Sequence, residues 1–287
     1  MPLAVFSQGG ARRLGKVFGD ALVDLSVAAP DLPDNVIDFL KGGDAALAAY
    51  RAAGADGPGR LALAEVTLHA PVPNPEKFLA IGMNYGEHAA EARSLGYETP
   101  SFQIWFNKQV SCIAGPYDDV VLPKVSDMVD YEAELAVVIG KTCKNVPVED
   151  ARSVIGGYMV ANDVSTRDWQ KRTPTMTLGK SFDTHGPIGP WLTLDDEIAD
   201  PHALNLRMIV NGEVMQSDMT GNMIHNIYEQ IAYLSQVMTL KPGDILSTGT
   251  PSGVGVAKTP PIFRKAGDVM RVEIDGLGHI ENRCVAE

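Results

Sequence analysis

The chain has 287 residues, with 24 basic against 36 acidic side chains and a formal charge of −12. Hydrophobic residues make up 45% of it and charged ones 21%, enough apolar matter for a full core without staples. So acidic a surface repels phosphate backbones and anionic membranes, which excludes both as partners, and an anionic substrate would need local positive charge of the kind a bound cation supplies.

The three cysteines, Cys112, Cys143 and Cys284, are odd in number and show no C-x-x-C spacing. Free thiols in a reducing compartment are the simplest reading. The start MPLAVFSQGG has no long apolar segment, and no run approaches the ~20 apolar residues of a membrane span. A cytoplasmic protein is expected.

In chain order, residues 2–6, 16–18 and 21–25 read as short strands of a meander. Residues 34–40 and 44–53 read as two helices, each opened by an acidic residue, and GADGPG at 54–59 is a break. We expect a small N-terminal α/β domain over residues 1–70, a proline-spaced linker (PVPNP, 71–75), and a strand-rich main domain over 71–287. Residues 132–139 and 157–162 are apolar strands. Strands at 206–210 and 213–216 flank Asn211-Gly212, a strong hairpin signal, and strands at 269–274 and 279–285 flank Asp275-Gly276. Between the hairpins, Ile224, Ile227, Tyr228, Ile231, Leu234 and Met238 recur at helical spacing until Lys241-Pro242-Gly243 stops the pattern. No βαβ alternation appears, so a parallel doubly wound sheet is not expected.

The sharpest chemical feature is DYEAE at 130–134, followed by the apolar LAVVI. On a strand, Glu132 and Glu134 project from one face. Two like charges entering a core repel unless something positive lies between them. Asp163 ends the second apolar strand. Three convergent oxygens with no Cys or His suit a hard cation, Mg²⁺ or Mn²⁺. A solvated sheet face is the bland alternative for any E-x-E, and here the apolar flank argues against it.

Further motifs follow: DVSTRDWQ from Asp163 to Gln170, GKSFDT from Gly179, IGMNYGEHAAE ending at Glu91, and STGTPSGVG ending at Gly255. Together, in this order, they resemble the fumarylacetoacetate hydrolase family over roughly residue 78 to the C-terminus. The resemblance implies an α+β, β-rich fold: a mixed β-roll behind a small N-terminal α/β domain, usually assembled as a homodimer. It implies metal ligands at Glu132, Glu134 and Asp163, and substrate-facing groups at Arg167, Gln170 and Lys180. It further implies a carboxylate-binding threonine at Thr250 and a catalytic dyad at His88 and Glu91, as in the acylpyruvate hydrolase and oxaloacetate decarboxylase branch. The founding enzyme's extra aspartate ligand has no match here.

Each residue also has a plainer reading. His88 alone would be a surface histidine, but Glu91 three positions on shares its helix face, as a base and its orienter would. Arg167 can equally well pair Asp168 or a metal-site carboxylate. Gly253 and Gly255 read as a tight turn that brings backbone near a ligand rather than as a nucleotide loop. His69, His185, His202, His225 and His279 carry no spacing signal and are taken as structural.

The expected activity is metal-dependent cleavage of the C–C bond of a 2,4-diketo acid to pyruvate and a carboxylic acid. In that reaction His88 would activate water, Lys180 would stabilise the oxyanion, and the cation would stabilise the enolate of pyruvate. Oxaloacetate decarboxylation and 2-keto acid isomerisation use the same enolate and stay open, as does a non-catalytic ligand-binding relative. The residues from Gly82 to Pro100 have few apolar anchors and are expected to order over substrate as a lid.

Overall fold

A computed structural model of the chain describes residues 1–94, 96 and 101–287. Its spine is the strand Ala133–Ile139, in which every residue is buried. The strand has two faces because side chains alternate. Leu135, Val137 and Ile139 enter one apolar cluster, and Ala136 and Val138 enter another on the opposite side. Its antiparallel neighbour Ile155–Asn162 divides in the same way, with Tyr158 and Val160 on one side and Met159 and Ala161 on the other.

The sheet grows outward from this pair. Gly186–Leu194 lies antiparallel beyond Ile155–Asn162. On the other side Ile245–Ser247 pairs antiparallel, and Phe78–Gly82 then pairs parallel to it. A five-stranded sheet, which runs Glu213–Met219, Asn205–Val210, Val269–Ile274, Gly278–Ala286, Val120–Leu122, packs over the first. Leu206, Met208, Met270 and Val272 share its core with Leu135 and Val137. The architecture is α+β and strand-rich with mixed strand directions, as expected.

The N-terminal strands Leu3–Ser7, Arg13–Phe18 and Ala21–Asp24 form where the sequence placed them. They continue the main sheet, since Leu3 sits opposite Leu192 on Gly186–Leu194. The helices Val36–Lys41 and Gly43–Ala52 share a core with Ala136, Val138 and Ile188. The first is capped by the Asn35 side chain rather than by Asp34. The amphipathic helix is Ile227–Val237, shorter than its apolar pattern. Asn226 caps the N–H groups of Tyr228 and Glu229, and Glu229 returns the bond to Asn226 N–H. That reciprocal box fixes the start, so Ile224 falls outside and is half exposed. At the first hairpin Asn211 and Gly212 both have positive φ, 52° and 85°, as a type I′ turn requires.

Among the described residues no helix is long and apolar enough to cross a membrane. Cys112, Cys143 and Cys284 are free and buried.

His185 illustrates how burial links to stability. Its ring is buried, and burial pushes its pKa down from 6.5 to about 4 despite a 3.0 Å bond between Nε2 and the Val121 carbonyl. Between those values the unfolded chain takes up a proton that the folded one refuses. Its contribution is therefore complete above about pH 6.5 and is lost as pH falls toward 4. In urea unfolding, His185→Asn should shrink the stability lost between pH 7.5 and 5 by about 2 kcal/mol relative to wild type. Equal losses in the two proteins would contradict this.

Candidate metal centre

Glu132 lies just before the strand Ala133–Ile139 and Asp163 just after Ile155–Asn162. The antiparallel register that sets Ala133 opposite Asn162 therefore brings them to one end of the pair. Two bonds fasten that end: Asp163 N–H donates to the Glu132 carbonyl at 2.9 Å, and Glu132 N–H donates to Asn162 Oδ1 at 3.1 Å. With Glu134 two residues on, three buried carboxylates each offer an oxygen, all within 4.8 Å of one another.

Cations surround this cluster unevenly. Lys180 Nζ spans Glu132 Oε2 at 2.7 Å and Asp163 Oδ2 at 2.6 Å. Lys108 Nζ takes the other oxygen of Asp163, Oδ1, at 2.7 Å. Arg167 binds Glu132 Oε1 at 2.7 Å and Asp130 Oδ2 at 2.8 Å. Among the described residues Glu134 forms no ion pair; it accepts from the Ser247 hydroxyl and from Gly249 N–H at 3.0 Å. Asp130, Glu132, Glu134 and Asp163 thus face Lys108, Arg167 and Lys180, four buried negative groups against three positive ones, with one negative charge left over.

The titration behaviour follows the same division. Burial alone would raise Glu132, but Lys180, Arg167 and His88 hold it far below the usual carboxylate range. Glu134 is pushed well above that range, first by burial and then by the Asp163 and Glu132 charges. Burial disfavours the Lys180 ammonium, yet Asp163 and Glu132 raise it overall. The residues fit a hard cation: the donors are all oxygen, converge and are dry, and one lacks a counter-charge.

A cavity opens over Glu132 and Glu134. Its walls include His88, Glu91, Phe106, Arg167, Lys180 and Thr250. His88 and Glu91 stand on the helix Gly86–Ser94, with His88 Nδ1 3.2 Å from Glu91 Oε2. The other oxygen of Glu91 accepts Gly253 N–H at 2.9 Å, and Glu87 accepts the Ser252 hydroxyl at 3.0 Å. These bonds dock the helix on the loop after Thr250. Part of the expected lid, Leu95 and residues 97–100, lies outside the described residues. Thr250 Oγ1 accepts from Gln216 Nε2 at 2.8 Å. Gln170 Oε1 accepts from Arg167 at 3.0 Å.

Two glycines are dictated by close approach. A Cβ on Gly179, beside Lys180, would lie 2.2 Å from Gln170 N, so only glycine lets the two short helices carrying these residues touch. Gly253 has φ +104°, and its Cβ would lie 2.2 Å from the Met215 carbonyl. The turn lines the cavity through Val254 and Val256, and its backbone is fastened by carboxylates: Gly253 N–H donates to Glu91, while Gly255 and Val256 N–H donate to Asp130 at 2.8 and 3.0 Å.

All nine candidate residues lie at this site. Arg167, however, is engaged by Asp130 and Glu132, which is the plainer of its two readings. Sequence reasoning passed over Lys108, Asp130 as a hub, Gln216 and Ser247. Asp130 carried a signal in DYEAE, whereas Lys108 carried none.

Comparison with known proteins agrees with this geometry. The family described as "Fumarylacetoacetate (FAA) hydrolase C-terminal" matches residues 77–285. The chain is 46% identical to oxaloacetate tautomerase FAHD2A, mitochondrial, of Bos taurus over 269 residues, 93% of this chain and 85% of that one. Among solved structures, a fumarylacetoacetate hydrolase from Exiguobacterium antarcticum superposes with a TM-score of 0.87 at 32% identity, covering 100% of both chains. Maleylpyruvate hydrolase from Sphingobium sp. SYK-6, in complex with manganese(II) and pyruvate, gives 0.82 at 36% identity, covering 100% of this chain and 99% of that one. The chain belongs to the fumarylacetoacetate hydrolase family, whose relatives found here are hydrolases, isomerases and tautomerases.

The uneven pairing makes a testable contrast. Asp163→Ala strips Lys108 and Lys180 of a shared partner and should cost the metal-free protein about 3–5 kcal/mol in urea unfolding with EDTA. Glu134→Gln keeps an acceptor for Ser247 and Gly249 and relieves like-charge repulsion, so it should cost about 1 kcal/mol or less. Equal losses would contradict the charge assignment.

Proposed function

We propose that this protein is a Mg²⁺- or Mn²⁺-dependent enzyme of small 2-oxo acids, and that it interconverts the keto and enol forms of an oxaloacetate-like acid. The observation that carries the metal reading is Glu134: a buried carboxylate without an ion-pair partner among the described residues, lining the cavity with Glu132 and within 4.8 Å of an oxygen of Asp163. The choice of reaction leans on the tautomerase named among the relatives, which aligns over 93% of this chain.

Glu132, Glu134 and Asp163 would hold the ion, which supplies Lewis acidity to a 2-oxo carboxylate. Adding two positive charges to a pocket one negative charge in excess also makes it attractive to an anion. Thr250 Oγ1 already accepts from Gln216, so its own proton is available to a substrate carboxylate. Two of the three N–H groups of Lys180 are committed to Glu132 and Asp163, and the third can donate to a developing enolate oxygen. With Glu91 accepting the Nδ1 proton, Nε2 of His88 is left as the lone-pair nitrogen. His88 takes the C3 proton and returns it to oxygen, and the reverse path restores the keto form. Arg167 acts through Glu132 and Asp130 rather than on substrate.

The His88–Glu91 pair also favours a second reading, hydrolysis of acylpyruvates, in which His88 deprotonates a water that attacks the distal carbonyl. The maleylpyruvate hydrolase among the structural neighbours supports that alternative. A homodimer in a reducing compartment such as the cytoplasm completes the proposal, and light scattering checks the assembly.

Loss of the enol absorbance of oxaloacetate should accelerate with Mg²⁺ or Mn²⁺ and stop with EDTA. His88→Ala should lower kcat by roughly 10²–10⁴ while oxalate still binds. Activity that survives chelation would sink the metal reading. Pyruvate release from acylpyruvates without enol–keto exchange would replace the first reaction with the second.

A further inference from the structure

Lys108 is buried to 2% exposure, and its ammonium makes three contacts, all with the site's framework. Nζ donates to Asp163 Oδ1 at 2.7 Å, to the Lys180 carbonyl, and to the Val164 carbonyl at 3.5 Å. It therefore holds the residue after Asp163 and the backbone of Lys180 together with the Asp163 carboxylate. No other side-chain donor among the described residues reaches Oδ1, while Oδ2 faces Lys180, whose ammonium also binds Glu132 Oε2.

We propose that Lys108 is a positioning residue that restricts Asp163 to one metal-facing oxygen and thereby sets the size of cation the centre accepts. The inference rests on the metal reading above. A carboxylate has two oxygens, and a large cation with six to eight ligands readily takes both. Mg²⁺ demands near-ideal octahedral geometry and takes single oxygens. With Oδ1 in a charge-assisted bond to a buried ammonium, a two-oxygen grip on the ion requires breaking that bond and leaving Lys108 unpaired in a dry interior. That cost falls on Ca²⁺ and spares Mg²⁺ and Mn²⁺. Glu134 points the same way: Ser247 and Gly249 both engage its Oε2, so a second ligand also arrives with one oxygen committed.

Calorimetric titration of the metal-free protein with Mg²⁺, Mn²⁺ and Ca²⁺ tests this without reference to turnover. Wild type should bind Mg²⁺ and Mn²⁺ at least roughly tenfold more tightly than Ca²⁺. Lys108→Met removes one positive charge, which strengthens every divalent ion alike, so the ratio between ions is the readout. That ratio should move toward Ca²⁺ by about tenfold or more, whereas a merely structural role would weaken all three ions together. Lys108→Gln keeps an uncharged donor and should fall between. An unchanged ratio in folded Lys108→Met overturns the inference and leaves the metal reading intact. Absence of divalent binding by wild type overturns both. If neither variant folds, the wild-type preference decides: Ca²⁺ binding as tightly as Mg²⁺ contradicts the proposal.

Discussion

The site depends on one electrostatic inequality: among the described residues, four buried carboxylates stand against three buried cations beside the cavity. In such surroundings an unpaired charge costs several kcal/mol, so the fold must neutralise the excess. Without a cation it does so by pushing Glu134 toward its protonated form. A divalent ion would replace that proton and leave the pocket with one net positive charge. Glu134 is thus the group whose charge burial and its neighbours disfavour. The paired groups around it, by contrast, hold one another in place.

Several carboxylates serve two layers of the structure at once. Asp130 accepts from Arg167 and from the backbone of Tyr131, Gly255 and Val256. Glu91 accepts from Gly253 as well as facing His88. The loop after Thr250 is therefore fastened on one side to the metal framework and on the other to the helix Gly86–Ser94. That helix buries little beyond Ala89 and Ala92, so polar bonds rather than packing hold it over the cavity.

Much of this was legible in the sequence. The two-residue spacing of Glu132 and Glu134 before an apolar run marked carboxylates entering a core, and Asn211-Gly212 marked its hairpin. Local rules sufficed because the determining interactions lie within a few residues. The missing parts are non-local. Lys108 is a solitary lysine whose partners, Asp163 and the Lys180 carbonyl, lie 55 and 72 residues away. The pairing of Leu3 with Leu192, which merges the N-terminal strands with the main sheet, has no periodic signature. The end of helix Ile227–Val237 turned on Asn226 and Glu229, a cap that outranked the apolar pattern continuing back to Ile224. For Arg167 the sequence offered two partners, substrate or carboxylate; its guanidinium pairs with Asp130 and Glu132 and also lines the cavity.

The proposed divalent-metal centre consists of Glu132, Glu134 and Asp163, the first two of which line the cavity. Crystals grown with Mn²⁺ and oxalate, with data collected at the manganese absorption edge, test it most directly. The account predicts one strong anomalous peak at about 2.1–2.2 Å from a carboxylate oxygen of each residue, with oxalate oxygens and waters completing six ligands. Saturating Mn²⁺ with no peak between these three carboxylates would contradict it.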